Sequence, residues 1–201
     1  MLMRHFMHLL LQQLGLAAAP AQPDAHDALL ALRSLAFQMS PQEFDLGPEK
    51  VPGPVWGALF ETHDAGAPFS LLVLHDGTAH LYLSTGGGLI GSHGLSEVSQ
   101  ASQRFMTQAN RLHHQARPSQ DHPLPAAGMS SFYFLTYQGV LCYTAPEARL
   151  GDGHDQLSPL FHLARGVVAA LGSTQTLGGA SASYLPAFLA APLAAELGLP
   201  V

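Results

Sequence analysis

Phe69–Gly94 reads FSLLVLHDGTAHLYLSTGGGLIGSHG. Two apolar runs, Phe69–His75 and Thr78–Ser84, flank the dipeptide Asp76-Gly77. Asp-Gly between apolar runs signals a hairpin, because a type I′ turn needs positive φ at both central residues. With that turn, His75 pairs with Thr78 and Val73 with His80. One face then carries Ser70, Leu72, Leu74, Ala79, Leu81 and Leu83. The other carries Leu71, Val73, His75, Thr78, His80 and Tyr82. Both faces are largely apolar, whereas an antiparallel sheet with one wet face alternates more cleanly. The sheet is therefore expected to be covered on both sides, by helices on one and by the termini or a second subunit on the other.

Outward from the hairpin, Val55–Thr62 reads as a preceding strand that ends in a His63–Gly66 turn. Ser96–Ala116 has Val98, Ala101, Phe105, Ala109 and Leu112 at helical spacing, with Arg104, Gln108, Arg111 and Gln115 on a polar side. A polar, proline-rich loop, Arg117–Gly128, leads to a second hairpin, Ser131–Tyr137 and Val140–Thr144, about a Gln138-Gly139 turn. Phe132, Phe134, Leu141 and Tyr143 share one of its faces; Tyr133, Leu135, Tyr137, Val140 and Cys142 share the other. Ala145–Gln156 reads as a loop. Ser158 with Pro159 opens a helix that Gly172 is expected to end. Upstream, Asp24 or Asp27 caps a helix with Leu29, Leu32, Leu35, Ala36 and Met39 as its inner stripe, ended by Ser40-Pro41. Prolines 41, 48, 52 and 54 make Pro41–Pro54 an extended connector. The fold class is α+β: a five-stranded antiparallel sheet in β-β-β-α-β-β-α order, with flanking and terminal helices. The expected segments are 1–23, an N-terminal amphipathic stretch and linker; 24–172, a single α+β domain; and 173–201, an apolar tail interrupted by Pro186 and Pro192.

Composition limits the partners. The 201 residues are 47% hydrophobic and 11% charged, with net charge −6. A domain of this size buries roughly 70% of its unfolded surface and needs neither disulfide nor metal to fold. The eight basic residues are scattered, seven of them Arg and one Lys50, which argues against nucleic-acid binding. One cysteine, Cys142, rules out an intramolecular disulfide and reads as a small core residue. No run reaches the ~18 apolar residues of a membrane span. The first 23 residues carry Arg4, an apolar run and small residues, as a signal peptide does. Gln12 and Gln13 interrupt that run, and an amphipathic helix with a cytoplasmic location is the preferred reading.

Several groups could carry chemistry. Gly86–Gly91 matches G-x-G-x-x-G in form, but the strand before it belongs to a hairpin and no acidic residue follows at the dinucleotide spacing. No P-loop lysine follows either. What remains is a generic anion site of Ser84, Thr85, Gly86, Gly87, Gly88, Gly91 and His93 at a helix N-terminus, set against glycines that merely let backbone pass closely. His75 and His80 share a hairpin face with Tyr82, but diagonal neighbours about 7–8 Å apart need a third ligand, such as His93 or Asp76, to hold a metal. His113 and His114 are adjacent and diverge on a helix. His122, the Asp152-His154-Asp155 group and His162 beside Arg165 read as solvated side chains, with Asp155 and Ser158 as caps. There is no G-x-S-x-G elbow and no cysteine with a placed base. Glu61 and Glu97 are the carboxylates a glycosidase pair would draw on. No cofactor is implied.

LYLSTGGGLIG (81–91), PLPAAGMSSFYFLTYQGVL (123–141) and LSPLFHLARGVV (157–168) together resemble a small, uncharacterised bacterial protein family with an STGGG-x-IG loop. The resemblance covers roughly Val55–Gly172 and carries no activity with it. The element order is also loosely similar to type III secretion chaperones, which are small acidic homodimers. It is similar, too, to roadblock and longin domains, although those place two strands before the central helix where this chain places three. These resemblances imply a binding or scaffold role. The leading expectation is a non-catalytic homodimer that binds another protein. The alternative is a small-ligand or enzymatic domain built on the glycine loop.

Overall fold

A computed structural model describes residues 25–85, 88–89 and 96–177. The expected N-terminal amphipathic helix and linker, the Asp24 cap, Gly86, Gly87, Gly91, His93 and the tail beyond 177 lie outside the described residues. The elements are α1 (Ala25–Gln38), β1 (Val55–Asp64), β2 (Ala67–Leu74), β3 (Ala79–Leu83), β4 (Gly88–Leu89), α2 (Ser96–Leu112), β5 (Arg117–Pro118), β6 (Met129–Thr136), β7 (Gly139–Pro146), α3 (Glu147–Gly151) and α4 (Ser158–Leu177). They form an α+β fold on one antiparallel sheet of order β4-β3-β2-β1-β6-β7-β5. The five expected strands are the long ones, but among the described residues the sheet has seven. Two-residue strands, β4 and β5, occupy the two edges.

β1 is central and buried along most of its length. Its two faces feed two cores. On the first, Phe60, Leu71, Val73, Leu81, Phe132 and Phe134 pack against Val98 and Phe105 of α2 and Leu160, Phe161 and Val167 of α4. On the second, Leu59, Leu72, Leu74, Tyr82, Tyr133 and Leu135 pack against Leu29 and Ala36 of α1 and Leu46 of the following connector. Tyr137 Oη donates to Leu46 O at 2.8 Å, tying that connector down. The second face is thus covered by the chain's own α1 and connector, so covering the sheet does not itself require a second subunit.

The first hairpin differs from the expectation by one residue. Its loop is His75-Asp76-Gly77, closed by Gly77 N–H to Leu74 O (3.1 Å) and Leu74 N–H to Thr78 O (2.9 Å). Thr78 N–H also donates to Asp76 Oδ1 (2.9 Å). Only Gly77 takes positive φ, +88°, so the turn is a three-residue loop with a left-handed third residue rather than type I′. Val73 therefore pairs with Ala79 and Leu72 with His80. Slipping the register by one residue moves a strand's side chains to the opposite face. His80 and Tyr82 consequently share the α1 face with Ser70, Leu72 and Leu74, while Ala79 and Leu81 face α2 and α4.

The turn with two positive-φ residues lies one connection earlier, at Ala65 (φ 48°) and Gly66 (φ 84°), between the paired Asp64 and Ala67. Alanine is a poor occupant of left-handed backbone, where its Cβ crowds the carbonyl. Ala65→Asn, the residue a type I′ turn prefers, should raise the unfolding free energy by about 0.5–1 kcal/mol in urea titration. Ala65→Val should lower it.

The second hairpin has the expected faces, but Thr136 pairs with Gly139 around a Tyr137-Gln138 loop. A two-residue shift in the pairing partners leaves the faces unchanged. α4 runs on to Leu177 rather than ending at Gly172, which is buried within it. Tertiary packing there overrides the low helix propensity of glycine. The expected 145–156 loop holds the short α3.

β1 begins with a bulge between Val55 and Gly57. There Asn110 of α2 bonds both backbone groups of Val55. Its Oδ1 accepts Val55 N–H and its Nδ2 donates to Val55 O, both at 3.0 Å. Asn110→Ala strands both backbone groups of the fully buried Val55. It should cost about 1–3 kcal/mol, measured by chemical denaturation, with Asn110→Asp losing the donor half alone. No described helix is long and apolar enough to cross a membrane.

Candidate functional site

The strand registers line up a row of polar residues across the α1 face. Tyr82 opposes Ser70, Ser70 opposes Glu61, Glu61 opposes Ser131, and Ser131 opposes Thr144. Directly opposed residues of antiparallel strands share a face, so this is one line running over β3, β2, β1, β6 and β7. Glu61 at its centre is fully buried. A buried carboxylate needs a cation and hydrogen bonds. Arg33 supplies both, because it follows Leu29 by one helical turn and so points at the sheet from the inner stripe of α1. Its Nε donates to Glu61 Oε1 (2.6 Å) and its Nη2 to Oε2 (3.0 Å), a bidentate pair. Ser70 Oγ adds a third bond to Oε1 at 2.8 Å.

Aromatic rings close the remaining sides. The Arg33 guanidinium lies 5.0 Å from the Phe37 ring centroid and 5.6 Å from that of Tyr133. His122 stacks on Phe37 at 4.0 Å and meets Tyr133 edge-on at 5.6 Å. Tyr133 Oη donates to Pro123 O (2.6 Å), which holds the proline-rich loop against the row. Ser131 and Thr144 hydroxyls bond each other at 2.8 Å, and Cys142 Sγ lies 3.7 Å from Thr144 Oγ1.

Burial governs the titration of these groups. It pushes the Glu61 carboxyl above its ordinary value, while Arg33 and then Ser70 pull it back. Burial raises the Cys142 thiol, Tyr133 and Tyr82. It lowers His122, which the Arg33 charge lowers further. Tyr82 Oη is buried with no hydrogen-bond partner among the described residues. With both Glu61 oxygens occupied and no face open to water, the carboxylate acts as a fixed anchor for α1 and is not a free general base. On the opposite face, Ser130 Oγ donates to Thr62 Oγ1 (2.8 Å), whose hydroxyl donates to Glu147 Oε2 of α3 (3.2 Å).

The residues singled out in the sequence are dispersed. Ser84 N–H bonds Pro68 O at 3.1 Å just beyond β3, and Thr85 is exposed. Gly88 pairs with Tyr82 in the edge strand β4, eight residues before α2 begins. A Cβ there would lie 2.3 Å from Leu81 O, so close backbone approach explains this glycine. His75 sits in the hairpin loop and His80 is buried in β3. No group of three or more metal-ligating side chains occurs among the described residues. His113 Nδ1 lies 2.8 Å from Asn110 O. Asp152 and His154 are exposed. Asp155 accepts Leu157 N–H (2.9 Å) and Tyr143 Oη (2.9 Å), and Ser158 Oγ accepts Asp155 N–H (3.1 Å), as capping residues do. Glu61 lies on the α1 face, whereas Glu97 belongs to α2 on the other side of the sheet, so they form no carboxylate pair.

Outside the sheet, α2 and α4 enclose a solvent-facing groove of about 420 Å³. Glu97, Gln100 and Arg104 of α2 line one wall beside Ala101. Leu163, Gly166 and Ala170 of α4 line the other beside His162. Comparison with family models, curated proteins and solved structures returned no match in any of the three.

Arg33 was the residue sequence reasoning missed. The signal was there: an arginine between Leu29 and Ala36 on an inner stripe, and a glutamate on the face of a strand that also carries Leu59. Each implies a buried opposite charge, but only the fold pairs them.

Proposed function

We propose that the protein works by binding, as a non-catalytic homodimeric α+β scaffold for a protein partner. The observation that carries this reading is the α2–α4 groove. It is an open, preformed surface feature in which the small residues Ala101, Gly166 and Ala170 lie beside the charged Glu97 and Arg104, as a helix docking from a second copy of the chain would use. By contrast, the sheet's carboxylate and guanidinium are consumed by each other. Light scattering across micromolar concentrations tests the homodimer; a monomer throughout would remove it.

A second reading, a small anionic-ligand or enzymatic domain using the Gly-rich loop 86–91, draws on the neighbouring Ser84 and Thr85, which leave β3 near the sheet edge with Thr85 exposed. Inorganic phosphate at millimolar concentration should then raise the melting temperature, and Thr85→Val should abolish the rise. Gly88→Val is no clean probe of that loop, since it would push against Leu81 O.

A further inference from the structure

We propose that the α2–α4 groove is a two-fold interface in which α2 of a second copy of this chain lies. The inference rests on the homodimeric reading and names its surface. A two-fold interface must be self-complementary, each patch meeting its own copy. The α2 wall meets that condition. Glu97 and Arg104 are exposed on one stripe, seven residues apart, which is two helical turns or about 10.5 Å. Neither takes part in an ion pair among the described residues; Arg104 Nε bonds only its own helix, at Gln100 O (3.3 Å).

Laying α2 antiparallel to its copy, with the axis near Gln100 and Ala101, brings Glu97 of each protomer to Arg104 of the other. The same operation made parallel would oppose like charges, so the charges select the antiparallel pairing. The α4 wall permits the approach. Gly166 and Ala170 are one turn apart, and a Cβ built on Gly166 meets nothing within 4 Å. A two-helix face of about 25 by 20 Å gives on the order of 1,000 Å² over both protomers, near the lower limit for a specific interface. The expected dimer is accordingly a weak one, with micromolar dissociation.

Sedimentation equilibrium of the full chain tests this. Gly166→Arg projects a long cation into the groove without touching the core and should raise the dimer dissociation constant about a hundred-fold, with the helical circular dichroism unchanged. Glu97→Arg and Arg104→Glu should each raise it about ten-fold, because each turns two attractive contacts into repulsive ones. The double exchange, Glu97→Arg with Arg104→Glu, should restore the wild-type constant. Restoration is a result that misfolding cannot mimic. A wild-type monomer would overturn both this interface and the homodimer itself. A wild-type dimer that is indifferent to Gly166→Arg, or a double exchange no better than the single ones, would overturn this interface and leave the homodimer standing.

Discussion

Arg33→Ala should lower the unfolding free energy by about 3–5 kcal/mol at pH 7, the range seen when one partner of a buried ion pair is removed. The cost is not the pair's attraction alone. It is the cost of leaving Glu61, fully buried, with only the Ser70 hydroxyl. The variant has a sharp signature in pH. Without Arg33, burial holds Glu61 protonated in the folded state well above the pH at which it ionises in the unfolded chain. The folded state then binds the extra proton, so the variant gains stability as pH falls from 7 towards 5, relative to wild type. The double variant Arg33→Met, Glu61→Leu removes both charges and should recover most of the loss. If the losses of Arg33→Met and Glu61→Leu, measured singly, instead add in the double variant, the two side chains are not energetically coupled.

Acidification should destabilise the protein through His80. This side chain is buried on β3, and burial lowers its pKa from 6.5 to about 4, the nearby Asp76 offsetting only part of the effect. The folded form keeps it neutral while the unfolded form protonates it. Between pH 6.5 and 4 the unfolded chain therefore binds more protons, and stability falls as pH falls. Over the full window the loss is about 3 kcal/mol, at 1.36 kcal/mol per unit. His75 and His122 are lowered in the same direction, chiefly by burial. His80→Gln, neutral at every pH, should flatten the stability curve between pH 6.5 and 4, measured by urea titration at each pH. A curve parallel to wild type would assign the acid sensitivity to other groups.

The hairpins were legible because they are local. Alternating apolar runs and turn residues place β1, β2, β3, β6 and β7 close to where they occur. The register of the first hairpin was not legible. Asp76-Gly77 suits a turn with two left-handed residues, but Asp76 instead keeps ordinary backbone and caps Thr78 N–H. That one-residue difference decides whether Tyr82 faces the same side as Ser70 or the opposite one. Arg33 and Glu61 are 28 residues apart, and periodicity along either element cannot say which buried charge meets which.

By itself the sequence determined the α+β order, the two apolar faces of the sheet, the amphipathic α2 and the scarcity of basic charge. These follow from side-chain spacing and composition, which each segment carries alone. Only the tertiary structure decided that α1 covers the second face, that Arg33 neutralises Glu61, that a polar row crosses five strands, and that α2 and α4 leave a groove between them. Those features depend on strand register and helix placement, which are set by long-range packing: one residue of slip exchanges every side chain of a strand between the two cores.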